Sequence, residues 1–224
     1  MKDQTWIVVW LFNLLNEITE NKLQKILNEA ALEGYLTQSA ADNGISHSLG
    51  FLLFKPETKT SLTPETLAVD LGTGGGLPGI VLSALTECKW FLLDRKKRRS
   101  EFLQWAVKEL ELTRKVTVIE EDAANFAHSN YRHKASLVTA RSFAVPGVTA
   151  ECAAPLLISG GYLVVSEPPH SVDRWPVSGL DKLGLKKDAH WEHNSASFQS
   201  LILNDVIEGK FPRKFSSIEK SPLF

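Results

Sequence analysis

The sequence predicts an α/β fold built on an open, mostly parallel sheet with helices on both faces, and three observations carry that prediction. From about residue 65 onward, short apolar runs suited to strands alternate with stretches suited to helices. The first run, Leu67 to Leu71, passes directly into a turn crowded with glycine and then into an apolar helix, the order of a strand–turn–helix unit. Polar residues suited to a ligand, Asp70, Asp94, Asp122 and Arg141, all fall at or just past the ends of predicted strands.

Taken in order, strands are expected near 67–71, 89–94, 115–119, 136–140 and 161–166, the near-continuous apolar runs of strands buried on both faces. Between them, helices are expected near 79–86, 97–111 and 146–157, with a short helix or turn near 123–128. Residues 190–194 and 198–204 read as two adjacent strands joined by a tight turn, an antiparallel C-terminal addition to the sheet. Before the sheet, Leu11, Leu14, Leu15, Ile18, Leu23, Ile26, Leu27 and Ala30 have the spacing of helices folded onto something larger. The expected organisation is therefore an N-terminal helical cap over 1–64 and a ligand-binding domain over 65–224.

Bulk properties narrow the function. The chain has 224 residues, of which 43% are apolar, enough for one sizeable core. With 25 basic and 26 acidic residues the net charge is −1, so any nucleic-acid surface has to be local. Trp6 to Leu15 is strongly apolar but shorter than the roughly 20 residues that span a bilayer, and no cleavage site follows it. It reads as a core or cap helix, with no membrane association. Cys88 and Cys152 lack metal-ligand spacing and read as reduced thiols of a cytoplasmic protein. The six histidines, 47, 128, 133, 170, 190 and 193, form no metal cluster in the sequence.

The loop from Gly72 and Gly74 to Leu77-Pro78-Gly79 lets the backbone approach a ligand where side chains would collide. Asp94, at the end of Trp90-Phe91-Leu92-Leu93, stands where an acidic residue meets the ribose hydroxyls of an adenosine; the competing reading is an aspartate capping the next helix. Charge separates two cofactor classes. A dinucleotide would bring an anionic pyrophosphate to this turn, and Asp70 would repel it. S-adenosylmethionine brings a sulfonium and an ammonium instead, which Asp70 favours, and Pro78 removes a donor a phosphate would use. Adenosylmethionine is the first expectation and a nicotinamide dinucleotide the second. Asp122 is a candidate acceptor for the adenine amine. Arg141 either closes the sheet edge in a salt bridge or orients the cofactor carboxylate and the incoming base. Two cationic runs, Arg95 to Arg99 and Lys210 to Lys214, are either solvated faces or RNA contacts, with Arg98, Arg99, Arg213 and Lys214 the candidates.

The run Asp70-Leu71-Gly72-Thr73-Gly74-Gly75-Gly76-Leu77-Pro78-Gly79-Ile80 resembles the glycine loop of the glucose-inhibited division protein B family. Leu93-Asp94, Arg98-Arg99 and Phe102-Leu103 are similar to that family's second-strand aspartate, basic pair and apolar pair. Ala140-Arg141-Ser142-Phe143 and the tail Phe211-Pro212-Arg213-Lys214 with Ser221-Pro222-Leu223 resemble family segments as well. The resemblance runs from about Leu67 onward. It implies a Rossmann-like class I methyltransferase fold and transfer of a methyl group from S-adenosylmethionine to N7 of a guanine in small-subunit (16S) ribosomal RNA, the RNA or the small subunit being the partner. Cofactor contacts carried over by resemblance fall on Gly72, Leu77, Ala123, Ala124 and Arg141. The chain departs from the family pattern at Val164 to Pro169, where many members carry a lysine–glycine pair, and in the N-terminal third, where His47-Ser48-Leu49 alone echoes a family motif. These departures leave open another RNA, a small-molecule acceptor, or a binding module without catalysis. No catalytic residue is expected, because guanine N7 carries no proton to remove. The sequence does not fix the oligomeric state.

Overall fold

A computed structural model describes residues 17–53, 62–168, 173–205 and 207–224. The apolar segment Trp6 to Leu15 and His170 lie outside the described residues. The elements in chain order are α1 (Glu17–Leu32), α2 (Gln38–Asp42), α3 (Gly44–Leu49), β1 (Leu67–Leu71), α4 (Gly79–Leu85), β2 (Lys89–Leu93), α5 (Lys97–Glu109), β3 (Val116–Ile119) and α6 (Ala123–Phe126). They continue with β4 (Ala135–Ala140), α7 (Pro146–Ala153), β5 (Leu157–Glu167), α8 (Val177–Leu180), β6 (Leu185–His193), β7 (Ala196–Leu203) and α9 (Phe215–Lys220).

The strands form a seven-stranded sheet in the order β3-β2-β1-β4-β5-β7-β6. The first five are parallel, and β7 and β6 add on as an antiparallel pair. The expected mostly parallel sheet with an antiparallel addition is thus observed. Strand order reverses between β1 and β4, which opens a crevice at their carboxyl ends, where open α/β sheets bind ligands.

Alternation along the strands divides the core in two. Ala68, Trp90 and Leu92 face one apolar cluster with the helices α1, α3, α4 and α5. Leu67, Val69, Leu71 and Leu93 face the other with α6, α7 and the tail. The first cluster joins the start of the described chain to the β6–β7 hairpin. Leu23, Ile26, Leu27 and Phe51 of the N-terminal helices share it with Trp191 and Phe198 of the hairpin, where Trp191 and Phe198 stack at 5.7 Å and 12°. The Trp191 indole N–H donates to the Gly50 carbonyl at 2.9 Å. A Cβ on Gly50 would stand 2.3 Å from Phe198 Cζ, so glycine is required for this approach. Residues from both sides of the boundary expected near residue 64 thus pack in one apolar cluster.

Differences from the expected elements have local causes. β5 starts at Leu157, because Ile158 to Gly161 bulges within the strand; the pairing jumps between Ala135 and Leu137, and Gly160 takes φ +76°. β6 starts at Leu185, since Lys186, Lys187 and Asp188 mark a charged edge strand and hide its period. The helix at 146 ends at Ala153 and tightens into a 3-10 turn through Pro155.

Candidate functional site

Parallel register assembles the site. Leu71 pairs with Leu93 on one side and Ala140 on the other, and Leu93 pairs with Ile119. The residues just past these strand ends, Gly72, Asp94, the Glu120 to Asp122 segment and Arg141, are thereby brought to one edge. Gly72, Asp94, Glu121 and Asp122 line a cleft of about 230 Å³, and Arg141 stands at the same sheet edge outside that lining. Of the expected cofactor residues, Gly72, Asp94, Asp122 and Ala123 line it.

Gly72 holds φ +65°, and a Cβ there would meet the Phe143 ring at 2.6 Å. A side chain at this position would be strained and would also displace the aromatic wall. Asp94 is buried, with Oδ2 accepting the Gly74 N–H at 3.0 Å and Oδ1 the Lys96 N–H at 2.9 Å. It therefore ties the glycine loop to the start of α5, and Arg99 Nη1 lies 3.6 Å from Oδ2. Asp94 thus supports the approach to α5, whose N-cap is Lys96, and also lines the cleft. Asp122 caps α6, its Oδ1 accepting from Ala124 and Asn125.

The remaining expected residues are placed differently. Asp70 is turned inward: Oδ1 accepts the Thr139 hydroxyl at 2.7 Å and Oδ2 the Gly79 N–H at 3.1 Å. Burial raises its carboxyl to about 7, against hydrogen bonds and the Arg141 guanidinium that pull it down. It does not line the cleft, so its effect on a ligand is exerted through the loop it shapes. Leu77 sits in the core under Gly44. Gly74 and Ala124 give their N–H groups to Asp94 and Asp122. Arg141 is half-buried beyond β4; among the described residues no carboxylate lies within ion-pair distance of it, while the charge of buried Asp70 acts on it from farther away. His47 of α3 faces it, and burial, then the Arg141 and His193 charges, lower that imidazole to about 4.

The RNA candidates divide. Arg98 and Lys214 are exposed, and Arg98 makes only a surface contact with Glu33 at 3.4 Å. Arg99 belongs to the cleft. The Arg213 guanidinium is engaged by Glu151, a fully buried carboxylate on α7, through Nε at 2.8 Å and Nη2 at 2.6 Å. The buried Glu151 charge requires such a partner, and the partly exposed Arg213 supplies it. Sequence reasoning missed Phe143, Phe215 and Glu219 as cleft residues. The resemblance to the Ala140–Phe143 segment was a signal for Phe143, but nothing local marked the other two.

The donor set tests the two cofactor classes. At the start of α4, Pro78 has no N–H, the Gly79 N–H is held by Asp70, and Ile80 N–H donates to the Gly76 carbonyl at 2.8 Å. A pyrophosphate would find these donors spent. The carboxylates of Asp94, Glu121 and Asp122 border the space together with the basic Arg95, Lys96 and Arg99, and the carboxylates suit ribose hydroxyls and an adenine amine.

Comparison with known proteins agrees. Solved structures with this fold include a SAM-dependent methyltransferase from Aquifex aeolicus (TM-score 0.55, 14% identity, 73% of this chain and 93% of that one). Another is an RNA methyltransferase from Salinibacter ruber in complex with S-adenosyl-L-homocysteine (TM-score 0.52, 14% identity, 74% and 93%). The fold is the Rossmann-like class I methyltransferase fold. Ribosomal RNA small subunit methyltransferase G of Desulfitobacterium hafniense is 39% identical over 173 residues, covering 73% of this chain and 72% of the relative. The protein of that name from Carboxydothermus hydrogenoformans is 35% identical over 167 residues, 70% of each. The model of the family described as rRNA small subunit methyltransferase G matches residues 47–175, beginning at His47, well before Leu67, where the motif resemblance starts. With both its cleft and its sequence pointing the same way, the chain belongs to the rRNA small subunit methyltransferase G family.

Proposed function

We propose that the protein transfers a methyl group from S-adenosylmethionine to N7 of a guanine in small-subunit ribosomal RNA. The observation that carries this reading is the occupied start of α4: with Asp70 holding the Gly79 N–H, the glycine loop offers a neutral, close-approach surface and no phosphate cradle. The bound cofactor supplies a methyl group on a cationic sulfur. Asp94 holds the ribose, the Asp122–Ala123 segment meets the adenine, and Arg141, which has no ion-pair partner among the described residues, takes the carboxylate of the methionine part. Guanine N7 presents an in-plane lone pair and no proton, so no general base is required. The chain contributes approach geometry and exclusion of water.

Exposed Lys97, Arg98 and Lys214 supply cationic contacts for the RNA backbone. The helices before residue 64 act as a cap on the sheet face beside the loop. Two separate buried thiols, Cys88 and Cys152, suit the reducing cytoplasm. Among the described residues no helix is long and apolar enough to cross a membrane. The test is incubation with methyl-labelled adenosylmethionine and, in parallel, small ribosomal subunits, free RNA and a metabolite mixture, followed by mapping of the labelled nucleotide. Label at a guanine N7 in the RNA is expected; label only in a metabolite, or none, overturns the proposal.

A further inference from the structure

The segment after β7 crosses the molecule and returns to the cleft. It is fastened on the way: Arg132 Nη1 donates to the Phe211 carbonyl at 2.7 Å, His128 Nε2 lies 2.8 Å from the Pro212 carbonyl, and Arg213 reaches Glu151. The Arg213 contact is the strongest of these. Its backbone N–H and Nε both donate to Glu151 Oε1, at 2.9 and 2.8 Å, while Nη2 takes Oε2 at 2.6 Å and also the Ser221 carbonyl at 3.1 Å. One arginine therefore joins α7 to both ends of α9. A carboxylate with no exposure in an otherwise apolar helix is costly unless fully paired, and such a pair fixes position.

What it positions is the cleft wall. Ile218 anchors the inner face of α9 in the core, and Phe215 and Glu219 face the cleft. Phe215 stands edge-on to Phe143 at 6.2 Å, and the Arg95 guanidinium lies over its ring at 5.2 Å. Arg95 is the residue after Asp94, so the ring stands beside the space that the ribose reading assigns to the nucleoside.

We infer that the tail is a working part of the cofactor site: Phe215 is the wall against which the cofactor's nucleobase packs, and Glu151–Arg213 is the positioning contact that holds that wall. This rests on the adenosylmethionine reading. An aromatic ring against a purine supplies stacking that any small aliphatic side chain loses. Because coupling between two sites is reciprocal, a cofactor that leans on the tail must also hold the tail down.

The experiment measures adenosylhomocysteine and adenosine binding by calorimetry for the full chain and for Phe215→Ala, Phe215→Tyr and Arg213→Lys, with tryptic cleavage in the 210–214 segment as a second readout. Phe215→Ala is expected to weaken both ligands by a similar factor, about tenfold, since the loss sits on the nucleoside they share. Phe215→Tyr restores binding to within about threefold. Arg213→Lys, which keeps the charge but loses the fork, weakens binding in the same sense and speeds cleavage, while adenosylhomocysteine slows cleavage of the unmodified protein. Unchanged affinity in Phe215→Ala, or cleavage indifferent to ligand, overturns the inference with the cofactor reading intact. Failure of the unmodified protein to bind adenosylhomocysteine overturns both.

Discussion

Replacing Asp70 by asparagine tests whether this carboxylate organises the loop from inside the protein. In the fold its carboxyl titrates near 7 instead of the ordinary 3.8, because burial disfavours the charge more than Thr139 and Gly79 support it. A group whose folded value is raised contributes stability that is fully present below its unfolded value and is lost as pH rises through its folded value. The full gap of about three units is worth roughly 4 kcal/mol, and the part crossed between pH 5 and pH 8 is about 2 to 3 kcal/mol. Asparagine keeps the shape, can accept from Gly79 and donate to Thr139, and does not titrate. Urea unfolding at pH 5, 6, 7 and 8 is therefore expected to show the variant gaining on the parent protein by about 2 to 3 kcal/mol as pH rises, a midpoint change of about 1 M. His47, lowered to about 4, has the opposite sign: its contribution is present above its ordinary 6.5 and is lost as pH falls through about 4. It is common to both proteins and drops out of the difference. Parallel stability profiles would refute the reasoning, since they would mean that Asp70 titrates alike in the folded and unfolded chain.

Asp94→Asn leaves one acceptor for the Gly74 and Lys96 N–H groups and none with full charge for the ribose. Adenosylhomocysteine binding is expected to weaken by about 2 kcal/mol, roughly thirtyfold, and an unchanged Kd by calorimetry would remove Asp94 from the site. The double reversal Arg98→Glu and Lys214→Glu should lower RNA affinity and reduce the slope of log K against log salt by about two, with cofactor affinity held; the surface pair of Arg98 with Glu33 contributes little to stability. A salt titration that superimposes on the parent's returns these residues to solvent. Gly79→Ala places a Cβ 2.6 Å from both Asp70 Oδ2 and Leu92 Cδ2. A loss of about 1 to 3 kcal/mol is expected, seen as a Tm lower by several degrees in calorimetry, and an unaltered Tm would show that the contact relaxes freely.

The sheet was legible because β1 and β4 at its centre are buried throughout and the flanking β2 and β3 are still rich in apolar residues; all four fall within a residue of where the sequence puts them. Gly72, Asp94 and Asp122 were legible for a related reason: a parallel sheet aligns strand ends, so residues just past them converge. What stayed hidden depends on partners far along the chain. Glu151 and Arg213 are 62 residues apart, and nothing near either announces that one neutralises the other inside the fold. Asp70 reads as a charge beside a ligand loop until Thr139, 69 residues on, is seen to hold it inward. The six residues of α9 are too few for a periodic signal, so Phe215 and Glu219 were invisible as cleft residues.

The shared aromatic cluster has a consequence for synthesis. Gly50 and Trp191 are separated by 141 residues, and Phe51 packs edge-on against Phe198 at 5.1 Å, so its cover is complete only once the hairpin is in place. At ~5–20 residues per second, the nascent chain carries that apolar face bare for on the order of ten seconds or more after it leaves the ribosome. The N-terminal helices must wait for the hairpin before their packing is complete, and in that interval they are natural clients for a chaperone.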